Sequence, residues 1–251
     1  MLIDTHTHTN LDDFKDDYDA VIKRALDADT WMINVGVDMK SSQKATEIAH
    51  KYQEGIYASC GLHPNDITDD FDFELLENFS KDEKVVGIGE TGLDYFRTTE
   101  EAKKISQIDF FMKHIKIAKK LDKALIVHCR DAHDDAIKVL KANSDGVRGV
   151  IHFFTGTLEH AKRYIDLGFH ISFSGVITFA RDYDEVIKYV PLDRMLIETD
   201  APFVSPEPNR GKRNEPYNVI YTAKKLAEIK GMTFEYVAEQ TTKNARDLFK
   251  I

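Results

Sequence analysis

The sequence is poor in cysteine, in proline and in uninterrupted hydrophobic runs. Its 251 residues include only two cysteines and six prolines. Cys60 and Cys129 lie far apart and form no C-x-x-C pair, so neither a disulfide framework nor a zinc knuckle is predicted. No apolar run approaches the roughly 18 residues that a membrane-spanning helix needs. A protein of the reducing cytosol fits this composition.

The first residues do not predict a secretory leader. Met1-Leu2-Ile3-Asp4 offers neither a basic segment nor the apolar stretch of a secretory signal. We therefore expect a cytoplasmic protein that does not bind a membrane. No obligate protein partner is indicated.

Positive charge is scarce. The chain carries 34 Lys and Arg against 43 Asp and Glu, a formal net charge of −9. This argues against a surface that coats duplex DNA by neutralising its phosphates. A bound divalent cation would make a site locally positive whatever the total charge, so a phosphate-bearing substrate remains open.

What the sequence does contain is a recurring alternation of short apolar segments and amphipathic segments, the pattern of βα units. The eight predicted strands are Leu2 to Thr5, Trp31 to Gly36, Ile56 to Cys60, Val85 to Gly89, Ala124 to Val127, Gly149 to Phe153, His170 to Phe173 and Arg194 to Glu198. The predicted helices are Tyr18 to Asp27, Ser42 to Tyr52, Phe73 to Phe79, Glu100 to Leu121, Ala132 to Ala142, Leu158 to Asp166, Tyr183 to Lys188, Tyr217 to Ile229 and Phe234 to Phe249.

The clearest helix is Glu100 to Leu121, in which an apolar stripe runs from Ile105 to Leu121 at helical spacing. Thr98 and Glu101 are predicted to form a capping box at its start.

Eight such units without an internal linker predict an α/β fold, a (β/α)8 TIM barrel that forms a single domain over residues 1–251. An open, doubly wound sheet is the alternative. In a barrel, the residues that follow the strands face the active-site end, where chemistry is expected.

Ligand-type side chains follow six of the eight predicted strands. They are His6 with His8, then His63, Glu90, His128, His152 and Asp200. His6 and His8 are two residues apart, so an extended strand would direct both imidazoles to one side, where they could hold one ion. His128 and His152 end neighbouring strands and could hold a second ion. Glu90 could bridge the two metals, and Asp200, after the last predicted strand, completes the set of ligands.

The remaining chemistry-bearing residues are interpreted more plainly. His50, His114, His133, His160 and His170 fall in helices or at a strand start and are read as structural or exposed. His63 is expected to touch substrate or orient a ligand. Alternation turns Cys129 away from the site, which predicts a buried small group rather than a nucleophile. Gly87-Ile88-Gly89 lacks the third glycine of a dinucleotide fingerprint.

The motifs together closely resemble the TatD family of metal-dependent deoxyribonucleases. They are Asp4-Thr5-His6-Thr7-His8, Gly61-Leu62-His63-Pro64, Gly87 through Tyr95, His128-Cys129-Arg130-Asp131-Ala132, Ile171 through Gly175, Glu198-Thr199-Asp200-Ala201-Pro202, Arg210 through Pro216 and Asn244 through Phe249. One departure stands out. Where relatives often read His-Cys-Phe-Ser-Gly, this chain has His152-Phe153-Phe154-Thr155-Gly156, so that cysteine is not needed for catalysis here.

The resemblance implies a binuclear site with His6, His8 and Asp200 on one ion, His128 and His152 on the other, and Glu90 between them. It also implies cleavage of DNA phosphodiesters, from the 3′ end of a single strand. From the ligand set we expect hydrolysis by a metal-bound water, with Asp200 positioned to accept its proton. Four histidines suit zinc, manganese, iron or nickel better than Mg²⁺, so the identity of the two divalent ions is left open.

Basic side chains in predicted loops are candidates for holding the substrate's phosphates. They are Arg181, Arg210, Lys212 and Arg213. Two other functions remain open at this stage. One is hydrolysis of carboxylic esters, lactones or amides, including aminoacyl esters on RNA, by the same water and metals. The other is a metal-bound binding protein without turnover, which the intact ligand set disfavours.

Overall fold

Eight parallel strands form one sheet, and their order in the sheet is their order in the chain. The computed structural model describes residues 1–68 and 70–251. The strands are β1 (Leu2–Thr7), β2 (Thr30–Val35), β3 (Ile56–Cys60), β4 (Val85–Asp94), β5 (Ala124–Arg130), β6 (Gly149–Ile151), β7 (His170–Phe173) and β8 (Met195–Ile197). Helices surround this sheet, so the predicted TIM barrel is confirmed.

The helices alternate with the strands. They are α1 (Tyr18–Asp27), α2 (Met39–Ala49), α3 (Phe73–Phe79), α4 (Glu101–Leu121), α5 (His133–Asn143), α6 (Leu158–Asp166), α7 (Asp184–Tyr189), α8 (Val219–Lys230) and α9 (Phe234–Phe249). None of the helices in the described residues has the length and apolarity needed to cross a membrane.

Most predicted boundaries hold within about three residues, but β4 continues from its predicted end at Gly89 to Asp94. The capping box predicted for α4 is wrong. Glu100 occupies the N-cap position without a side-chain cap, and the Thr98 hydroxyl instead hydrogen bonds to Asn65 and accepts from Gln107. The predicted apolar stripe also starts too early, because Ile105 is 61% exposed.

The core has two layers. Alternate strand residues, among them Ile33, Ile126 and Leu196, pack against one another inside the barrel. Their neighbours along the strands face outward and pack against the helices in a second, larger cluster. Leu248 and Phe249 of α9 belong to the inner cluster, which places the last turn of that helix against the barrel interior.

Two bulges interrupt the strands where ligand-type residues occur. In β1, Thr5 and His6 lie opposite the single residue Ile33 of β2. In β4, Gly89 and Glu90 lie opposite Ile126 of β5. A bulge breaks strict alternation and re-aims a side chain, and each of these two bulges includes a predicted metal ligand, His6 or Glu90.

The seam between β8 and β1 is joined by hydrogen bonds rather than by a regular ladder. The backbone N–H of Asp200 donates to the His6 carbonyl over 2.8 Å, and that of His8 donates to Ala201 over 2.8 Å. The buried Asp4 carboxylate accepts from both the backbone N–H and the hydroxyl of Thr199. The seam therefore fixes His6, His8 and Asp200 relative to one another.

Candidate metal centre

A cavity of about 540 Å³ opens at the carboxyl end of the strands. Its walls include five of the six predicted metal ligands together with His63, and His6 lies directly beneath, with its Nε2 atom 3.2 Å from that of His8. The structure thus brings all six predicted ligands together, although their sequence positions span nearly the whole chain.

The first group joins β1 to β8. His6 and His8 direct their Nε2 atoms at each other, at 3.2 Å. Asp200 Oδ1 lies 3.7 Å from the Nε2 atom of His6 and 3.4 Å from that of His8. Two imidazole nitrogens and a carboxylate oxygen that converge so closely leave room for one small cation among them.

The second group joins β4, β5 and the end of β6. Glu90 Oε1 lies 2.7 Å from His128 Nδ1 and 2.9 Å from His152 Nε2. Its other oxygen, Oε2, lies 3.2 Å from His6 Nε2. Each carboxylate oxygen of Glu90 therefore faces a different group of histidines.

Supporting hydrogen bonds orient two of the imidazoles. His8 Nδ1 donates to the Val35 carbonyl over 2.9 Å, which leaves the Nε2 lone pair facing the site. His128 Nε2 lies 3.3 Å from Asp94 Oδ2, which favours a proton on that nitrogen and leaves Nδ1 facing Glu90. Such bonds fix the tautomer that a metal ligand needs.

The charges of the site also favour a cation. Burial raises the pKa of Glu90, but His152 and His6 outweigh it and hold that pKa well below its usual range. Burial lowers the pKa of His152, yet Glu90 and Glu198 raise it well above its usual value. Carboxylates that hold a proton on His152 would equally hold a metal ion in its place.

Two buried carboxylates of the site were missed in the sequence. Asp94 accepts from Asn65 and from the backbone of Arg97 besides facing His128. Glu198 Oε1 lies 3.3 Å from His152 Nδ1 and accepts from the backbone N–H of Phe153. Both residues lie inside the motifs quoted above, and the signal that could have found them is a charged residue next to a predicted buried strand.

His63 lies beside the second group. Its Nε2 atom is 3.7 Å from Glu90 Oε1, and its ring meets that of His128 edge-on at 4.5 Å. Burial lowers the pKa of His63 to about 4, so its imidazole is neutral near pH 7. Within the described residues, three sets of donor atoms lie close enough to hold an ion: His6, His8 and Glu90; His6, His152 and Glu198; and His63, Glu90 and His128. His63 and Glu198 are thus near enough to contribute.

The loop arginines chosen from the sequence lie elsewhere. Arg213 pairs with Asp17 through both terminal nitrogens, and Arg181 pairs with Asp184 at 2.7 Å. Arg210 stacks on Phe179, with the guanidinium carbon 3.6 Å from the ring centroid. None of these three lines the cavity, whereas Arg97 and Arg130 do.

Arg97 and Arg130 carry unneutralised charge. Within residues 1–68 and 70–251, no carboxylate oxygen lies within 4.0 Å of either guanidinium. Arg130 lies inside the motif His128-Cys129-Arg130-Asp131-Ala132, and Arg97 lies in the loop after the extension of β4 that the sequence did not predict.

Other residues behave as expected. Cys129 is buried and accepts a hydrogen bond from the Tyr164 hydroxyl, and burial raises its thiol pKa to about 12. His114 donates from Nδ1 to the Phe110 carbonyl and accepts the Leu62 N–H at Nε2. His114 therefore holds the start of the His63 loop.

Comparison with known proteins identifies the family. The family model described as "TatD related DNase" matches residues 3–250. The chain belongs to the TatD family. It is 42% identical over its whole length to YabD of Bacillus subtilis, a protein named as an uncharacterized metal-dependent hydrolase, all of which is covered. It is 31% identical, over 95% of both chains, to a Shigella flexneri protein named 3'-5' ssDNA/RNA exonuclease TatD.

Solved structures agree on the fold. The crystal structure of YjjV, a TatD homologue from Escherichia coli, superimposes with a TM-score of 0.88 at 28% identity, covering 100% of this chain and 98% of that one. A TatD family hydrolase from Entamoeba histolytica gives a TM-score of 0.86 at 24% identity, covering 99% and 97%. This TatD-family chain is therefore a metal-dependent hydrolase with histidine and carboxylate clusters able to bind metal.

Proposed function

We propose that this TatD-family protein is a two-metal phosphodiesterase that removes nucleotides from the 3′ end of single-stranded DNA. The observation that carries the proposal is Glu90, whose two carboxylate oxygens face the His6 group and the His128–His152 group separately. In this proposal His6, His8 and Asp200 hold one ion, His128 and His152 hold the other, and Glu90 bridges them. The histidine-rich donor set suits Zn²⁺, Mn²⁺ or Ni²⁺ better than Mg²⁺.

The residues divide the chemistry between them. Two divalent ions held by these residues would lower the pKa of a bound water and would neutralise negative charge on the attacking and leaving oxygens. Burial raises the pKa of Asp200, but His8 and His6 lower it below its usual value. Asp200 is therefore a carboxylate near pH 7 and can accept the proton of the attacking water.

The cavity also contains anion-binding groups. Arg97 and Arg130 line it and have no carboxylate partner in the described part of the chain. A guanidinium binds a phosphate through two parallel hydrogen bonds. We assign these two arginines to the substrate's phosphates in preference to Arg181, Arg210 and Arg213. The 3′ direction and the single-stranded substrate follow the name of the Shigella flexneri relative.

The proposal is tested by following nucleotide release from single-stranded DNA labelled at the 3′ or the 5′ end. Each reaction receives Mn²⁺, Zn²⁺ or Mg²⁺, and the native protein is compared with Glu90→Gln. Glu239→Gln is the matched control, because Glu239 is an exposed glutamate of α9. We expect immediate release of the 3′ label, metal dependence, and a loss of about a hundredfold or more in Glu90→Gln only.

Two results would contradict the proposal. Label released first from the 5′ end would reverse the direction. Absence of cleavage by protein whose metal content has been verified would remove DNA as the substrate. The same metal-loaded protein would then be assayed on carboxylic esters, lactones and aminoacyl-RNA.

A further inference from the structure

Two exposed aromatic rings lie at the metal cavity, because Phe203 lines it and Phe96 stacks on Arg130, which lines it. Phe96 is 58% exposed and Phe203 is 49% exposed. In the described residues these are the two phenylalanines that are exposed, of fifteen in the sequence. Single exposed apolar side chains are ordinary, but both of these lie next to the same site.

The two rings belong to opposite rims of the barrel. Phe96 follows β4 and contacts Arg130 at the end of β5, whereas Phe203 follows β8 and meets the His8 ring, just past β1, at 6.2 Å between centroids. In an eight-stranded ring, β4 and β5 lie across from β8 and β1. The ligand side chains therefore lie between the two rings.

Phe96 is held in place from one side. The guanidinium carbon of Arg130 lies 3.7 Å from the centroid of the Phe96 ring and covers one face. The Tyr95 backbone N–H donates to the Arg130 carbonyl over 2.9 Å, which ties the turn that carries Phe96 to β5. The rest of the ring is an exposed apolar surface beside the guanidinium of Arg130, which has no carboxylate partner among the described residues.

The order of aromatic, cationic and metal-ligating side chains across the cavity entrance matches the alternation of bases and phosphates in an unpaired nucleic acid strand. Such a strand alternates planar apolar bases with anionic phosphates, and proteins bind it through aromatic platforms combined with positive charge. Here a ring and guanidinium groups stand on one rim, the metal-ligand cluster lies in the middle, and a second ring stands on the other rim. A base-paired duplex hides its base faces in the stack and could not use such rings.

We propose that Phe96 and Phe203 are base-stacking platforms on the two sides of the scissile phosphodiester, so that the substrate must carry an unpaired base on each side. This inference rests on the proposed function and specifies its substrate. A leaving mononucleotide stacks on one ring and the base of the preceding nucleotide stacks on the other. Small esters and lactones have nothing to place on both rings.

Binding can be tested without cleavage by using 2-aminopurine, whose fluorescence is quenched when it stacks. Single-stranded oligonucleotides with 2-aminopurine at the last, second or third position from the 3′ end are titrated with protein in EDTA. We expect quenching at the last two positions, lost at one of them in Phe96→Leu and at the other in Phe203→Leu. Phe96→Trp should retain the quenching. Tyr236→Leu, which removes a 52% exposed ring of α9, is the matched control.

Cleavage provides the second measurement. Phe96→Leu should raise KM about tenfold to a hundredfold with little change in kcat. Replacing the base that stacks on Phe96 by an abasic residue should raise the KM of the native protein by the same factor. The same replacement should raise the KM of Phe96→Leu by almost nothing more. Equal losses from the abasic residue in both proteins, or quenching that persists in both leucine variants, would overturn the inference. Because quenching needs no turnover, an inactive native protein would count against the proposed function separately.

Discussion

Gly61→Ala should displace Glu90 through its backbone, without contact with the side chain of any proposed metal ligand. Gly61 follows β3, and its backbone lies against the bulge of β4. A Cβ atom added there would meet the Gly89 carbonyl carbon at 2.5 Å, the Gly89 Cα at 2.6 Å and the Glu90 carbonyl oxygen at 2.8 Å. All three atoms belong to the backbone, so no side chain can rotate away.

The size of the displacement follows from these contacts. Ordinary contact begins at 3.4 Å, so the nearest pair must separate from 2.5 Å, a movement of roughly 0.5 to 0.9 Å of the Gly89–Glu90 segment. Misplacing a catalytic group by about 1 Å costs about a hundredfold in rate. Overpacking of this kind costs about 1 to 3 kcal/mol of stability, or roughly 2 to 12 °C in Tm for a chain of this length.

The assay combines bound metal, measured by plasma mass spectrometry, with thermal unfolding and 3′-label release. Gly87→Ala is the control, because its nearest contact at 3.0 Å is the tip of the Ile126 side chain, which can move. We expect Gly61→Ala to lose activity and metal while it still unfolds cooperatively. Full activity and full metal content in Gly61→Ala would refute the claim that close backbone packing positions Glu90.

Three further predictions concern other parts of the molecule. Burial lowers the pKa of His114 from 6.5 to about 4, so as pH falls the unfolded state binds this proton before the folded state does. The contribution of His114 to the free energy of unfolding is therefore complete above about pH 6.5 and falls by about 3 kcal/mol as the pH drops to 4. Urea unfolding across this window should show a flatter pH dependence in His114→Gln, and an identical slope would contradict the assignment. Thr199→Val leaves the buried Asp4 carboxylate without its hydroxyl donor, so it should lower the free energy of unfolding by about 1 to 3 kcal/mol; an unchanged denaturation midpoint would show that the seam does not depend on this bond. Arg130→Ala should raise KM for DNA at least tenfold, and an effect no larger than that of Arg181→Ala would remove it from substrate binding.

The fold was predictable because its signal is local and repeated. Each apolar segment indicates a buried strand independently of the others, so eight such segments predict a barrel even where the boundaries of single strands are wrong. The convergence of His6, His128 and Asp200 could be predicted from the barrel itself, since parallel strands of a barrel end at one rim.

The features that the sequence did not predict depend on contacts between segments that are far apart in the chain. The bulge that turns Glu90 toward both histidine groups arises from pairing with β5 and leaves no local pattern. Thr98 resembles a capping residue, yet its hydroxyl is occupied by Asn65 and Gln107, which tertiary structure supplies. Arg213 is basic and lies in a loop, but whether it is free or paired depended on Asp17, almost two hundred residues away.

In the proposed site, six side chains form one binuclear centre bridged by Glu90. The most direct test is Mn²⁺ binding to metal-free protein, followed by isothermal titration and by electron paramagnetic resonance. We expect two ions per chain with a spin-coupled spectrum, and weakened binding with loss of coupling in Glu90→Gln. A single ion per chain, or two uncoupled ions whose affinities are the same in Glu90→Gln, would contradict it.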